Sequence, residues 1–233
     1  MTCFAGVDGA PGGWAVVVMV LNRITVEKVM ALSNLFDDRS DLKIVAIDIP
    51  IGLLESYEQG GRACDRAARK LLGRYRGSSV FPAPVRSALT ANSWHSSCAI
   101  SRASAPQGKA MSKQTFAILP KIREIDALLQ NRMELRAVVR EVHPEVSFAE
   151  LVGKPMIHRK SSIAGREERR KALTHMFPNL RMIEDAGRQQ GLAVEDILDA
   201  TVACWSASRA GTGRGLPETV SVDSTGLPMV IWV

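Results

Sequence analysis

Residues 3–20 of the chain, CFAGVDGAPGGWAVVVMV, consist of two apolar runs joined by a segment of glycine and proline. The first run ends at Asp8, and the second spans residues 14–20. Short apolar runs on either side of Gly and Pro are typical of β-strands joined by a turn. A third run, residues 24–30, follows the two residues Asn22-Arg23, which favour a tight hairpin. The N-terminal part of the chain therefore predicts three antiparallel strands.

Two further apolar runs predict parallel strands. Residues 43–47 end at Asp48, and residues 137–142 follow a long helical segment. An apolar run without alternation is typical of a strand that is covered on both faces, as in parallel sheets. Three antiparallel strands, then two parallel strands and a final helix, is the order of elements in the ribonuclease H-like arrangement. We therefore predict an α/β fold in which helices flank a mixed five-stranded sheet, with a C-terminal hairpin at residues 219–233.

The segments between and after these strands predict helices and loops. Helical spacing and good helix formers occur in residues 61–72, 113–129, 166–176 and 195–210, and shorter helices are expected at 33–36 and 145–152. Gly73 is expected to end the first of the long helices and Pro120 to break the second. Residues 96–113 are polar and predict a flexible loop. Residues 1–233 fit one domain, in which residues 54–135 form an insertion of helices and loops.

The composition is that of a globular protein with a basic surplus. Hydrophobic residues make up 46% and charged residues 23% of the chain, which excludes general disorder, collagen and coiled coil. There are 30 Lys and Arg against 24 Asp and Glu, a formal net charge of +6. The surplus is concentrated in residues 59–76 and 154–171, and the rest of the chain is net acidic. Such a split favours a polyanionic partner, although a charge of this size also promotes solubility.

The spacing of the cysteines and the length of the apolar runs favour a location in the cytoplasm. None of the four cysteines has the spacing of a metal finger or a CxxC motif, which favours free thiols in a reducing cytosol. The N-terminus lacks the pattern of a signal peptide, and the longest apolar run, residues 14–21, is too short to span a bilayer. We expect a cytoplasmic protein with no membrane contact.

Carboxylates at the ends of separate elements predict a metal site. Asp8 and Asp48 end neighbouring parallel strands, so their side chains are expected to lie together, where they repel each other unless a cation bridges them. Asp196 and Asp199 share one face of the last helix, and the alanines that follow allow this helix to approach the sheet closely. Sites rich in oxygen and free of thiolates favour Mg²⁺ or Mn²⁺.

The fifth strand adds candidates from a third segment. Glu141 and His143 alternate onto one face of this strand, and Glu145 follows its end. We predict that the catalytic carboxylates are Asp8, Asp48, Glu141, Glu145 and Asp199, and that the metal ligands are Asp8, Asp48, Asp199 and Glu145. Which of Glu141, Glu145 and Asp196 binds metal stays open. Two ions about 3.5–4 Å apart suit phosphoryl transfer. A single Asp at a strand end is more often a turn residue, so only the joint pattern supports this prediction.

Several stretches of the sequence carry a resemblance to a known family. They run in order along nearly the whole chain: 6–14 (GVDGAPGGW), 46–53 (AIDIPIGL), 62–69 (RACDRAAR), 78–84 (SSVFPAP), 114–122 (QTFAILPKI), 141–148 (EVHPEVSF) and 199–200 (DA). With these motifs the chain resembles the DUF429 family of predicted ribonuclease H-like nucleases. The resemblance implies a nuclease of that fold. The spacing of Asp196 and Asp199 is also similar to the last helix of Holliday-junction resolvases of the same fold.

The chain departs from the family pattern at two places, which affects the roles that the resemblance implies for the residues there. Ala10 stands where the family often has Cys, so an active protein would need no thiol there. Arg159 and Lys160 are the nearest equivalents of a Lys-Lys-Thr-like string of the family, and the resemblance leaves their role open.

Basic side chains supply the candidates for substrate binding. Arg62, Arg66 and Arg69 have the spacing of one helix face, and arginine suits bidentate contacts to phosphate. The other candidates are Lys121, His143, Arg159 and Lys160. Each has a plainer interpretation as a solvated or backbone-bonded residue, and for residues 166–171, where acids alternate with bases, we favour the solvated helix face.

These patterns predict a metal-dependent nuclease that binds the phosphate backbone of a nucleic acid. One alternative is a phosphotransferase or ATPase of the related actin-like fold, which normally needs two copies of the core and here would need a dimer. Another is a non-catalytic module that binds nucleic acid. The oligomeric state stays open.

Overall fold

The computed structural model describes residues 2–21, 23–209 and 211–233. Asn22 of the predicted hairpin turn and Ala210 at the predicted end of the last helix lie outside them. Five strands form the central sheet in the order β3-β2-β1-β4-β5. Their bounds are β1 Cys3–Ala10, β2 Gly13–Val20, β3 Arg23–Val29, β4 Leu42–Ile47 and β5 Val139–Glu141.

The strand directions follow the predicted pattern. β1 pairs antiparallel with β2, and β2 antiparallel with β3, whereas β1–β4 and β4–β5 are parallel. In the parallel pairs Val7 lies opposite Ile47, and Ile47 opposite Glu141. The predicted mixed five-stranded sheet is therefore confirmed.

Helices cover both faces of this sheet. Their bounds are α1 Leu32–Asp38, α2 Ala63–Arg76, α3 Trp94–Ala103, α4 Lys113–Ala117, α5 Leu119–Asn131, α6 Pro144–Val152, α7 Ile163–Thr174, α8 Leu180–Gln189 and α9 Val194–Ser208. The C-terminal hairpin is also present, as β6 Gly215–Val222 and β7 Pro228–Trp232. Within the described residues, no helix combines the length and the apolar character that crossing a membrane requires.

Strand alternation divides the core into two layers. Val7 of β1 and Val16 of β2 face one side, where they pack with Leu32 of α1 and Ile122 of α5. Ala15 and Val17 of β2 face the other side, where α6 to α9 supply Phe148, Leu173 and Ile197. The α5 helix thus belongs to the main core, although it lies in the segment between β4 and β5 that the sequence indicated as an insertion.

Two helices differ from the sequence-based expectation. Residues 96–113 were expected to be a flexible loop, but α3 begins at Trp94 and buries Cys98 against Met111. Its serines make the sequence polar, which is why it does not look helical, but their polar groups are hydrogen-bonded locally. The Ser93 hydroxyl, for example, caps the first turn and accepts from the Ser96 backbone N–H. The α8 helix was not predicted at all. The break near Pro120 is confirmed, since α4 ends at Ala117 and α5 begins at Leu119.

Candidate functional site

An open cavity of about 660 Å³ lies where β1 and β4 end. Its wall includes five aspartates, and we call four of them, Asp8, Asp48, Asp196 and Asp199, the aspartate cluster; the fifth is Asp65. Concave sites of this volume are typical of ligand-binding pockets. The predicted carboxylates from two strands and the last helix therefore meet in one place.

The parallel register brings Asp8 and Asp48 together. Asp48 follows β4 directly, and its backbone N–H donates to the Val7 carbonyl oxygen at 2.9 Å, which extends the β1–β4 ladder past Ile47. Successive residues of a strand face opposite sides, so Asp8 and Asp48 both point away from the face of Val7 and Ile47. They therefore lie on the side of the sheet that α9 covers.

A glycine allows α9 to carry Asp199 into the cavity. A Cβ atom at Gly6 would lie 2.0 Å from the Cys204 nitrogen and 2.1 Å from the Ala200 oxygen, so only glycine fits where helix and sheet touch. Ala203 and Ala207 of α9 pack against Ala46 of β4 in the same layer. Because the helix backbone approaches this closely, Asp199 is almost fully buried beside the strand ends.

The aspartate cluster carries more negative charge than its surroundings neutralise. Burial, with the charges of Asp48 and Asp199, raises the pKa of Asp8 well above its ordinary value. Burial likewise raises the pKa of Asp48 to about 7 and that of Asp196 to about 6, although Lys160 acts in the opposite direction on both. Such shifts are typical of sites that bind a cation or transfer protons.

Lys160 is the basic residue that reaches into this cluster. Its Nζ donates to the Asp199 Oδ2 at 2.6 Å, and the charge of Asp199 raises the pKa of the lysine. The side chain comes from a turn that leads into α7, where the Ser162 hydroxyl accepts from the Gly165 N–H. A Cβ at Gly165 would lie 1.9 Å from the Arg159 oxygen, so this tight turn requires glycine. The turn holds Lys160 over the mouth of the cavity, with 48% of its side chain exposed.

The cluster has the donor chemistry of a site for a hard divalent cation. Its ligand atoms are carboxylate oxygens, and Asp196 Oδ2 is buried and has no hydrogen-bond partner among the described residues. Asp8 Oδ1 accepts from the Gly9 N–H at 2.8 Å, which orients the carboxylate. The residues therefore fit Mg²⁺ or Mn²⁺, with Asp8 of β1, Asp48 after β4 and Asp199 of α9 as the candidate ligands.

The tightest group of ligand-type side chains is a different one. In the described part of the chain, Cys64, Asp65 and Glu141 are the set of three or more whose ligand atoms all lie within 4.8 Å of one another. Arg62 already occupies this place, donating to Asp65 Oδ1 at 2.7 Å and to Glu141 Oε1 at 2.6 Å. The group is therefore a buried ion-pair network, and the aspartate cluster is wider than a single ion would need.

The structure places Glu141 outside the aspartate cluster. Glu141 lies opposite Ile47, so its side chain points to the opposite face of the sheet from Asp48. There it accepts hydrogen bonds from Arg62 and from the Ile51 backbone N–H. Arg62 is 1% exposed and precedes the first residue of α2, so it does not form a phosphate-binding face with Arg66 and Arg69. Asp65 and Glu141 together neutralise Arg62, so its charge is not available to a phosphate.

Glu145 and His143 line the cavity at the start of α6. Glu145 accepts a hydrogen bond from Arg169 through Oε1. Its Oε2 is buried, lies 3.6 Å from the Arg76 Nε and has no hydrogen-bond partner in residues 2–21, 23–209 and 211–233. Burial lowers the pKa of His143 in spite of the nearby Glu145 charge, so the imidazole is neutral at pH 7. Within the part of the chain that the structure describes, the buried His143 Nδ1 also has no hydrogen-bond partner. This end of the cavity therefore holds polar atoms that are free to meet a ligand.

A comparison with protein-family models places the chain. The model described as "Protein of unknown function (DUF429)" matches residues 6–221. The chain belongs to the DUF429 family. No match is found among the curated proteins, and none among the solved structures. The predicted family is thus confirmed, and the site of this DUF429 protein has to be interpreted from its own residues.

The remaining predicted substrate-binding residues of the DUF429 protein differ in availability. Arg66 pairs with Glu58 at 2.9 Å, and Arg69 donates to the backbone carbonyls of Gly60 and Val80. Lys121 donates to the Gly13 carbonyl and lies 4.1 Å from the centre of the Trp14 ring, so its charge is used inside the fold. Arg159, in contrast, is exposed and lines the cavity.

Two arginines at the site were missed by the sequence-based prediction. Arg76 lines the cavity, and Arg169 is 1% exposed behind it. Arg169 lies four residues from both Gly165 and Leu173, which are buried on the same face of α7, and this spacing was the available signal. Arg76 had the weaker signal of two flanking glycines, Gly73 and Gly77.

Proposed function

We propose that this DUF429 protein is a divalent-metal-dependent nuclease with a ribonuclease H-like fold that hydrolyses phosphodiester bonds. The observation that carries the proposal is that the buried Asp8 and Asp199 and the half-buried Asp48 line one cavity, where Lys160 is hydrogen-bonded to Asp199. Several buried like charges are unstable together unless a cation joins them. The strand order, with two antiparallel pairs and two parallel pairs, supports the fold assignment.

The chain's own residues would bind the metal and the substrate. Asp8, Asp48 and Asp199 would hold Mg²⁺ or Mn²⁺, and Asp196 would complete the set through its free oxygen. A divalent ion held there would supply an activated water and would neutralise charge on the phosphate. Lys160 must release Asp199 when a cation enters, and its ammonium is then free to neutralise a phosphate oxygen. The neutral His143 offers a lone pair at Nδ1 that can accept a proton.

The substrate would be held through its phosphates and not its bases. Arg159 is exposed at the cavity, and arginine donors fit phosphate oxygens in pairs. Aromatic residues make up only 5% of the chain, too few for an extended stacking surface. We therefore expect binding that depends weakly on base sequence and falls steeply with added salt.

Metal binding and cleavage can be measured separately. Titration of Mn²⁺ followed by isothermal calorimetry should show saturable binding to the wild-type protein and at least a tenfold weaker affinity in Asp8→Asn and Asp199→Asn. Asp185→Asn is the matched control, because that carboxylate is 60% exposed on α8. The same four proteins are then incubated with single-stranded DNA, duplex DNA, a four-way junction and RNA, with Mg²⁺, Mn²⁺ or EDTA.

The expected result is cleavage of one of these substrates by the wild type and Asp185→Asn with metal, and none by the two site variants. The proposal is abandoned if purified wild-type protein neither binds Mn²⁺ nor cuts any of the substrates. Equal activity of wild type and Asp8→Asn would indicate a contaminating nuclease and contradict the assigned site.

A further inference from the structure

The last turn of α2 delivers an arginine to the cavity. Gly73 interrupts the helix with φ 59° and ψ −156°, values that disfavour any other residue. The chain resumes for Arg74 to Arg76, and Gly77 then packs against the Arg69 carbonyl. Because of this kink the Arg76 side chain lines the cavity and is only 11% exposed. Its neighbour Arg74 stays on the surface, where it contacts Tyr75.

The charge of Arg76 is incompletely balanced. Its carboxylate neighbour is Glu145, at 3.6 Å from Nε, which is too far for a hydrogen bond. Glu145 is already bonded to Arg169, whose remaining contacts are the carbonyls of His158 and Gly165. Two arginines therefore share the Glu145 carboxylate, and the formal charges of these three side chains sum to one positive charge.

Arg76 also keeps donors free. Its Nε is buried without a hydrogen-bond partner, and among the described residues no acceptor bonds to the rest of its guanidinium. Leaving a buried donor without a partner is unfavourable, so a ligand that supplies the missing acceptor would be bound favourably at this position. Ser78, Ser79 and His143 line the same part of the cavity and add short polar groups.

We propose that Arg76, with Ser78 and Ser79 beside it, binds a phosphate group of the substrate, apart from the phosphate that is cleaved at the aspartate cluster. We call this the Arg76 site. It rests on the proposed nuclease function for its role, but its phosphate binding can be tested alone. A phosphate oxygen pair matches the guanidinium fork, and its negative charge balances the surplus that Arg169 and Arg76 leave. Lys160 contacts Asp199, whereas the carboxylate beside Arg76 is Glu145, so the two cations belong to different parts of the cavity wall.

The phosphate has two possible sources, an internal diester of the backbone or a terminal monoester. A terminal phosphate carries an extra charge at neutral pH, and the Arg76 site would then select chain ends. Binding of inorganic phosphate is measured first, by the line width of its ³¹P resonance in EDTA and in Mg²⁺. Binding of a tetrathymidylate with and without a 5′-phosphate then distinguishes the sources.

The variants are Arg76→Gln and Arg76→Lys, with Arg74→Gln as the control for loss of one charge from the same helix turn. We expect wild type and Arg74→Gln to bind phosphate equally, and Arg76→Gln to bind it at least tenfold more weakly, with Arg76→Lys in between. Circular dichroism establishes that each variant is folded. If Arg76→Gln does not fold, phosphate binding is compared between the wild type and Arg76→Lys alone, because lysine keeps the positive charge and lacks the paired N–H donors of the guanidinium.

Each outcome bears on the proposal. An Arg76-dependent gain from the 5′-phosphate assigns the site to chain ends, and equal Arg76 dependence of both oligonucleotides assigns it to the backbone. Phosphate binding that is absent in the wild type, or unchanged in both Arg76 variants, overturns the site. If Arg76-dependent binding is found while the protein binds no metal and cuts nothing, the nuclease function fails and the anion site stands.

Discussion

Replacing Asp48 by Asn should stabilise the metal-free protein at alkaline pH. Its carboxyl has a pKa raised from 3.8 to about 7, chiefly by burial, with Asp199 adding repulsion. The folded state therefore binds this proton more tightly than the unfolded chain. The contribution of Asp48 to the free energy of unfolding is therefore most favourable below about pH 4. It is lost as the pH rises towards 7 and stays absent above that pH.

The size of the effect follows from the shift. At about 1.36 kcal/mol per pKa unit, a rise from 3.8 to about 7 corresponds to roughly 4 kcal/mol of lost stability at pH 8.5. For a chain of 233 residues this amounts to a melting temperature lower by roughly 8–16 °C. An uncharged Asn at the same position avoids most of this cost, but it also removes a metal ligand.

Melting temperatures measured in EDTA between pH 4.5 and 8.5 test this reasoning. We expect Asp48→Asn to melt well above the wild type at pH 8.5 and close to it at pH 4.5. Added Mn²⁺ should raise the melting temperature of the wild type at pH 8.5 and leave that of the variant unchanged. If Asp48→Asn is less stable than the wild type at pH 8.5, the charged Asp48 carboxylate does not destabilise the metal-free protein, and this explanation is refuted.

Three further changes have expected outcomes. Gly6→Ala places a Cβ within 2.1 Å of the α9 backbone and should lower the free energy of unfolding in urea by about 3 kcal/mol or more, whereas Gly211→Ala, which meets no atom within 4 Å, should change it little. Equal melting in urea would contradict the close approach of α9. Lys160→Met removes the competitor for the metal position, and calorimetry should show Mn²⁺ binding about fivefold tighter, or about 1 kcal/mol; weaker binding would mean that the lysine assists the metal. Arg62→Met removes the cation from the buried carboxylates of Glu141 and Asp65 and should lower the free energy of unfolding by about 3–5 kcal/mol. Partial recovery in Arg62→Met/Glu141→Gln would attribute this loss to the ion pair.

The strands of the sheet could be predicted because each one depends on the pattern of residues within a short stretch of the chain. Each strand is a short apolar run between turn residues, so the positions of β1 to β5 and the placement of Asp8 and Asp48 at strand ends follow from residue order alone. The close approach of α9 was also readable, from the alanines that follow Asp199. The helix α3 was missed because its serines hydrogen-bond within the helix itself, which a polar sequence pattern does not reveal.

The partners of the charged side chains could not be predicted in this way. Glu141 and Asp48 are both acidic residues at strand ends, yet a one-residue offset in register sends Glu141 to the other face, where it meets Arg62. The two basic windows looked alike as solvated or phosphate-binding surfaces. In the folded protein Arg62 and Arg169 are buried in ion pairs, while Lys160 reaches Asp199.

The sequence by itself therefore determined where the strands lie along the chain and which carboxylates follow them, because both depend on the spacing of neighbouring residues. Only the tertiary structure decided which of these charges are neutralised and which are left free. A charge finds its partner across long separations in the chain, as Arg62 does with Glu141 and Lys160 with Asp199. The register and the packing of the helices set these distances, and they leave the aspartate cluster and Arg76 incompletely compensated.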